Sequence, residues 1–152
     1  YSGFPVKADA DGRAVEVPGG WGTGNARGTL PWLNVAPQAI YWSARWQTER
    51  YQLPLVFSEN GLCNTDWVHL DGKVHDPQRI DFVTRYLTAI DRAIGDGADV
   101  RGYFYWSILD NFEWAEGYKD RFGLVHVDYT TQVRTPKDSF YWYRDVIKRG
   151  GL

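Results

Sequence analysis

Two apolar runs stand out in the pattern of hydrophobic and polar positions along the 152-residue chain. Residues 55–58 and 102–109 are mostly apolar and show no polar alternation. Such runs are typical of strands that are buried on both faces, as in a parallel sheet. Residues 1–36, by contrast, are rich in Gly, Pro and small polar residues, and they are predicted to form a long irregular loop of the kind that lines binding sites.

Three other stretches carry helical patterns. The clearest begins at Asp76, which is suited to cap it, and Pro77, and its apolar residues follow at spacings of three and four until Gly95. Shorter helices are predicted over 37–52 and 139–148. The order of elements indicates an α/β fold. Because two strands cannot close a barrel or cover their own edges, we expect the segment to need further strands, from upstream in the same polypeptide or from a partner chain.

Composition and charge exclude several classes of partner. A formal net charge of −2 and a pI near 5.9 give no reason to expect nucleic acid or an anionic membrane. The single cysteine, Cys63, permits no intrachain disulfide and no thiolate metal cluster, and it is expected to be a small packing residue. The three histidines lack metal-ligand spacing. The chain begins at Tyr1 and contains no methionine, so we expect the natural N-terminus to lie upstream.

The predicted strands end in residues that suit a sugar ligand. Glu59 lies at the end of the first apolar run, directly before a turn, and the second run leads into Glu113 and Trp114. The carboxyl ends of buried strands are where (β/α)8 barrels build their active sites. A sugar ring needs hydrogen-bond acceptors for its hydroxyls and an apolar wall for its C–H face. Carboxylates among aromatic rings therefore indicate a glycosidase, of which this chain carries a part.

The segments around these carboxylates are similar to motifs of one enzyme family. Residues 55–61, with the sequence Leu-Val-Phe-Ser-Glu-Asn-Gly, resemble the nucleophile strand of family-1 glycoside hydrolases, the β-glucosidases and their relatives. Residues 106–114, followed by 117–118 and 121–124, resemble the family's eighth strand and the loop after it. Tyr1 and the serine after it resemble the tail of a motif at its sixth strand. The resemblance covers nearly the whole chain.

This resemblance implies the C-terminal portion of a (β/α)8 TIM barrel, from the end of strand six through strand eight to the last helix. Residues 1–152 would form one segment of a single domain, with Glu59 as the catalytic nucleophile. A retaining glycosidase also needs a second carboxylate, about 5–5.5 Å away, as acid and then base. The family places it in an Asn-Glu-Pro segment, which this sequence lacks. We therefore expect the upstream part of the barrel to supply it; the family needs no cofactor and no metal.

The resemblance implies contacts to the sugar itself for four residues. Glu113 would accept hydrogen bonds from O4 and O6, and Trp114 would donate one to O3. Trp106 would form the platform under the ring, and Phe122 a wall near O6. Relatives that act on 6-phosphosugars usually carry a serine and a lysine-bearing loop around Glu113, so an unphosphorylated glycoside is the expected substrate.

Two further residues receive roles from the resemblance. Tyr1 would donate a hydrogen bond to the nucleophile, Glu59, and so help to keep it ionised. Trp32 lies in the loop where the family places a tryptophan that stacks on the aglycone. Its spacing to Pro37 is one residue longer than the family pattern predicts.

The favoured prediction is retaining hydrolysis of β-D-glucosides, with a β-glucoside or an oligosaccharide as the substrate. Within the family, β-galactosidase, β-fucosidase and transglycosylase activities stay open, because the contacts of Glu113 and the aglycone loop tune the choice. A different class stays open as well, a non-catalytic sugar-binding or scaffolding half-barrel. The lack of an acid/base motif and the high aromatic content favour that class. Compartment, oligomeric state and aglycone are left open by the sequence.

Overall fold

The computed structural model describes residues 1–22 and 24–152, and these residues form three α-helices, one 3₁₀ helix and six short strands. In chain order they are β1 (Val6–Ala8), β2 (Ala14–Glu16), α1 (Pro37–Tyr51), β3 (Leu55–Asn60), α2 (Pro77–Gly95), β4 (Val100–Tyr105), the 3₁₀ helix (Trp114–Glu116), β5 (Val125–Val127), β6 (Arg134–Pro136) and α3 (Asp138–Arg149).

Strands β3 and β4 lie side by side in parallel, and α2 connects them. The pairing begins at Leu55 and Val100 and reaches Asn60 and Tyr105. This is the strand–helix–strand unit that the apolar runs predict. Such a connection is required because parallel neighbours cannot be joined by a tight hairpin.

The second strand ends earlier than the sequence predicted. β4 covers Val100–Tyr105, whereas the apolar run continues to Leu109. Beyond Tyr105 the backbone changes partner. Ser107 donates to the carbonyl of Phe122 at 3.4 Å, and the amide of Leu124 donates back to Ser107 at 2.9 Å. The first part of the apolar run therefore pairs with β3, and the part after Tyr105 pairs with residues near Leu124. The hydrophobic pattern alone does not show this change of partner.

The main core lies between the sheet and α2. The buried residues of this helix include Phe82, Val83, Tyr86 and Ile90, which pack in one cluster with residues of the loops after β2 and β3. The predicted apolar stripe was correct at Val83 and Ile90, but Ile94 is 44% exposed. Cys63 is fully buried in the same cluster, as expected of a packing residue.

The sheet is not covered on all sides within this chain. Val56 and Phe104 are 55% and 61% exposed, although both lie in strands that were predicted to be buried on both faces. A two-stranded sheet has two open edges, and each edge exposes unpaired backbone groups. The exposed apolar side chains agree with the expectation that further strands are needed. Within the described residues, no helix combines the length and the apolar character needed to cross a membrane.

Three features differ from the predictions: two hairpins were not foreseen, and the cap of α2 is not formed by a side chain. The region predicted as an irregular loop, residues 1–36, contains the β1–β2 hairpin; position 23 of that loop lies outside the described residues. A second hairpin, β5–β6, precedes α3. Asp76 occupies the N-cap position of α2, but its side chain makes no capping bond there and binds Arg79 and Ser139 instead.

Candidate active site

Glu59 lies at the carboxyl end of β3, and its side chain is exposed. The following residue, Asn60, is fully buried and fixes the end of the strand. Its side-chain oxygen accepts a hydrogen bond from the hydroxyl of Tyr103 at 2.7 Å, and its carbonyl accepts one from the amide of Trp106 at 2.9 Å. The ends of the two parallel strands are thus held together directly behind Glu59.

The hydroxyl of Tyr1 donates a hydrogen bond to Oε2 of Glu59 at 3.0 Å. Burial raises the pKa of the Tyr1 phenol well above its usual range, and the hydrogen bond to Glu59 and the charges of Glu59 and Glu113 add to the effect. The phenol therefore stays protonated across the physiological pH range. It is a permanent donor to one oxygen of the carboxylate.

Two aromatic rings flank Tyr1. Trp32 and Phe122 each meet its ring edge to face, with ring centroids 6.0 Å away in both cases. Phe122 is buried and belongs to the main core, whereas Trp32 is 46% exposed. The structure therefore brings together beside Glu59 three of the residues that the resemblance singled out.

Glu113 is the second carboxylate of this region. It precedes the 3₁₀ helix, and its amide donates to the carbonyl of Gly117 at 2.7 Å, which closes the loop on itself. Burial raises the pKa of the Glu113 carboxyl, and the negative charges of Asp120, Glu59 and Glu116 raise it further. Glu59 and Glu113 therefore lie close enough to act on each other electrostatically.

The two tryptophans after β4 differ in environment. Trp106 is half-buried and packs against the main core, and its peptide bond to Ser107 is cis. Trp114 is 80% exposed and has a left-handed backbone with φ of 43°. Trp106 is thus held in place by the chain itself, whereas the ring of Trp114 is largely open to solvent in this segment.

The sequence predictions missed a group of charged residues beneath these loops, of which all but Arg121 are buried. They comprise Asp66, Asp76, Arg79, Asp110, Arg121 and Lys137. One signal was present in the sequence: Arg79 lies on the same face of α2 as Val83 and Tyr86, and a charge at a core position requires a buried partner. In residues 1–22 and 24–152, no group of three or more His, Cys, Asp or Glu side chains is arranged to hold a metal ion.

Comparison with known proteins identifies the family. The sequence profile described as Glycosyl hydrolase family 1 matches residues 21–152. The chain belongs to this family. The interpretation of residues 55–61 and 106–114 as family-1 motifs is therefore confirmed at the level of the family.

Curated family-1 relatives align with the whole of the chain. β-Glucosidase A of Thermotoga maritima is 43% identical over 159 aligned positions, and 1,4-β-D-glucan glucohydrolase of Thermotoga neapolitana is 46% identical over 157. Both alignments cover 100% of this chain and 34% of the relative. A bifunctional β-D-glucosidase/β-D-fucosidase of Bifidobacterium breve is 51% identical over 119 positions, which are 75% of this chain and 26% of that protein.

Solved structures agree with the sequence comparison. The β-glucosidase of Thermotoga maritima, in complexes with castanospermine and with glucoimidazole, matches this chain with a TM-score of 0.87 and 42% identity. The match covers 100% of this chain and 34% of that enzyme. The chain thus spans about a third of the length of these relatives. Its fold is that of the C-terminal portion of the family's (β/α)8 barrel, as the sequence predicted.

Proposed function

We propose that this chain is the C-terminal segment of a single (β/α)8 domain that hydrolyses β-D-glucosides with retention of configuration, and that Glu59 is the nucleophile. The observation that carries the proposal is the setting of Glu59. It lies at the carboxyl end of a parallel strand, accepts a hydrogen bond from the protonated phenol of Tyr1, and lies beside a cluster of aromatic rings. Membership of family 1 supports the assignment.

The proposed reaction has two steps. A carboxylate oxygen of Glu59 attacks the anomeric carbon, the bond to the aglycone oxygen breaks, and a glutamic acid from the upstream part of the barrel protonates that oxygen. The same upstream carboxylate then removes a proton from water. The water oxygen attacks the anomeric carbon, and the bond to Glu59 breaks with its electrons returning to the carboxylate. The Tyr1 hydroxyl donates to one oxygen of Glu59 and so holds the orientation of the carboxylate before the first step and after the second.

The remaining residues of the site suit the binding of the sugar. Glu113 is a half-buried acceptor that shares the electrostatic environment of Glu59, and we assign it to O4 and O6 of the glycone. Trp106 would lie under the ring and Trp114 would donate its indole N–H to O3. Phe122 would form the wall near O6.

Trp32 packs against Tyr1, whose hydroxyl binds Glu59. Its ring is half-exposed and meets Tyr1 edge to face, so one of its surfaces is free to stack on a second sugar or an aryl group. We assign it to the aglycone.

The expected substrate is an unphosphorylated β-glucoside or short β-glucan. All three curated relatives named above carry a glucosidase or glucan glucohydrolase activity in their names. β-D-Fucoside hydrolysis is a second candidate, because the Bifidobacterium breve relative carries both activities in its name. Fucose differs from galactose by the loss of a 6-hydroxyl, so this choice depends on the surroundings of O4 and O6, where Glu113 is proposed to lie.

The test is covalent trapping in the complete protein that contains this chain. A 2-deoxy-2-fluoro-β-glucoside should label the protein once, and peptide mass spectrometry should locate the label on Glu59. Glu59→Gln should abolish both labelling and turnover, whereas Glu49→Gln, at an exposed position on α1, should change neither. A label on another residue, or turnover by Glu59→Gln, would contradict the proposal. Binding of glucosides without any turnover by the complete wild-type protein would favour the non-catalytic alternative.

A further inference from the structure

Six charged side chains of alternating sign lie beneath the two loops that follow β3 and β4, and all but Arg121 are buried. In order of contact they are Asp76, Arg79, Asp66, Lys137, Asp110 and Arg121. We name this set the ion chain. Arg79 reaches Asp66 at 2.7 Å, Lys137 reaches Asp66 at 2.5 Å and Asp110 at 2.8 Å, and Arg121 reaches Asp110 at 2.7 Å. Carboxylates and cations are equal in number, so the set is neutral as a whole.

Lys137 is the central member of the ion chain, and burying its ammonium group costs free energy. Its side chain is completely buried, which is rare for lysine unless the ammonium is paired. Burial lowers the pKa of Lys137, and the nearby charge of Arg79 lowers it further, against the attraction of Asp66 and Asp110. Lys137 also occupies the N-cap position of α3, where the helix dipole disfavours a cation. Burial and the position at the helix N-terminus both disfavour a lysine here. Its two carboxylate partners are therefore the reason for a cation at this position.

The two partners belong to the two loops of the site. Asp66 lies on the loop that begins just after Glu59, and Asp110 lies on the loop that leads to Glu113. The ammonium of Lys137 therefore joins the loop of the proposed nucleophile to the loop of the proposed sugar acceptor. Its ion pairs are to Asp66 and Asp110 and not to either glutamate.

Each carboxylate also has donors other than Lys137, and for Asp66 this donor is Arg79 of α2, at 2.7 Å. Asp110 accepts hydrogen bonds from the amides of Gly123 at 2.9 Å and Val127 at 3.3 Å. The loops also meet directly, because Asn64 and Arg121 exchange backbone hydrogen bonds at 3.0 and 3.1 Å. The ammonium of Lys137 is one of several links between the two loops, and it binds a carboxylate of each loop directly.

We propose that Lys137 is a positioning residue. By bridging Asp66 and Asp110, it fixes the loop that follows Glu59 relative to the loop that leads to Glu113. This inference rests on the proposed function, since it concerns the geometry of the same site. Catalysis depends strongly on such geometry: a displacement of about 1 Å costs about 100-fold in rate. The bridge acts on the rate through the two loops and makes no contact with substrate.

Variants of the complete protein can distinguish two roles of Lys137: positioning of the loops and balancing of the buried charges. Lys137→Met keeps the length of the side chain but leaves the ion chain with excess negative charge. The double variant Lys137→Met/Asp66→Asn restores neutrality without restoring the bridge. Lys73→Met, at an exposed position, is the matched control and should behave as wild type. For each variant the melting temperature, kcat and KM for an aryl β-glucoside, and the rate of labelling by the fluoroglucoside are measured.

We expect Lys137→Met to lose both stability and activity. The double variant should regain most of the melting temperature while its kcat and labelling rate stay roughly 10- to 100-fold below wild type. Lys137→Arg, which retains a cation, should recover part of the rate.

If the double variant recovers kcat together with stability, Lys137 only balances charge and the inference is overturned. If Lys137→Met does not fold, the double variant carries the test. Failure of the wild type to hydrolyse or to be labelled would instead overturn the proposed function, which keeps the two failures apart.

Discussion

The α-carbon of Gly61 lies against the carbonyl oxygen of Trp106, so closely that a β-carbon on Gly61 would stand 1.9 Å from that oxygen. The turn directly after Glu59 is therefore in backbone contact with the first residue after β4. No side chain fits between these two backbone segments, so their close approach requires a glycine at position 61. This contact fixes the backbone after Glu59 against the backbone of Trp106.

Gly61→Ala should therefore disturb the site and the fold together. Relieving the overlap requires the two backbones to separate, and overpacking of this kind costs about 1–3 kcal/mol or more in unfolding free energy. Thermal melting and kcat/KM of the complete protein should both fall. Gly95→Ala is the control, because a β-carbon there meets nothing within 4 Å and should leave stability equal or slightly raised. An active, fully stable Gly61→Ala protein would refute the steric argument.

Tyr1→Phe removes the hydrogen-bond donor to Glu59 and leaves the ring in place between Trp32 and Phe122. A hydrogen bond to a charged group contributes about 1.5–3 kcal/mol, so kcat/KM should fall by about 10- to 150-fold. The melting temperature should change little, because the edge-to-face contacts remain. Steady-state kinetics on an aryl β-glucoside measure the effect, with Tyr51→Phe on α1 as a neutral control. Unchanged kinetics in Tyr1→Phe would show that Glu59 does not depend on this donor.

Glu113→Gln tests whether the second carboxylate binds sugar or acts as the acid/base. A loss of charged acceptors to the sugar hydroxyls should lower kcat/KM by about 100-fold. Azide should not restore turnover, because azide replaces only a missing general base by attacking the glycosyl-enzyme without losing a proton. Rates with a dinitrophenyl β-glucoside, with and without azide, decide the matter. Recovery with azide would make Glu113 the acid/base and would remove the need for an upstream glutamate.

The same variant should change how stability depends on pH. Burial and neighbouring charges raise the pKa of Glu113, so between its usual value and the raised value the folded protein binds a proton that the unfolded chain does not. The stability of the wild type therefore falls as pH rises through that window. Glu113→Gln should melt higher than wild type at pH 7, and the difference should shrink below about pH 4.3. A difference that is equal at both pH values would contradict the assigned shift.

His75 joins the loop after β3 to the start of α3. Its Nδ1 lies 2.6 Å from Asp138 and its Nε2 lies 3.0 Å from Asp71, so both ring nitrogens face carboxylates. The hydrogen bond to Asp138, and then that to Asp71, raises the pKa of His75. The stabilisation is therefore fully present below about pH 6.5 and is lost as pH rises through the raised value.

His75→Gln should consequently lower the melting temperature more at pH 5.5 than at pH 9. Melting curves of the complete protein at the two pH values measure the difference. Asp71→Asn/Asp138→Asn is the matched control, since it removes the carboxylates that raise the pKa and should abolish the pH dependence. An equal loss at both pH values would mean that the imidazole contributes by packing alone.

The features that the sequence predicted correctly are those set by local pattern. The helix beginning at Pro77 has a strong apolar period, and the strand that ends at Glu59 is a short apolar run before a turn, so both were visible in consecutive residues. The two hairpins were missed because strands of three residues leave no measurable alternation. The early end of β4 was missed because its continuation pairs with residues near Leu124 rather than with β3.

The ion chain could not be predicted from any window of the sequence. Asp66, Asp110 and Lys137 are separated by long stretches of chain, and each one alone resembles an ordinary surface charge. Only the position of Arg79 on the apolar face of α2 gave a local signal. Contacts between distant residues follow from the tertiary fold, so composition and periodicity carry no information about them.

The ion chain also constrains how this protein can be recombined with its relatives. All six charges come from residues 66–137 of this chain. A chimera whose crossover lies before residue 66 inherits every partner from one parent. A crossover between residues 66 and 137 draws partners from both parents, and one mismatch leaves a charge without its counter-ion inside the protein. Viable hybrids should therefore exchange this stretch as one block.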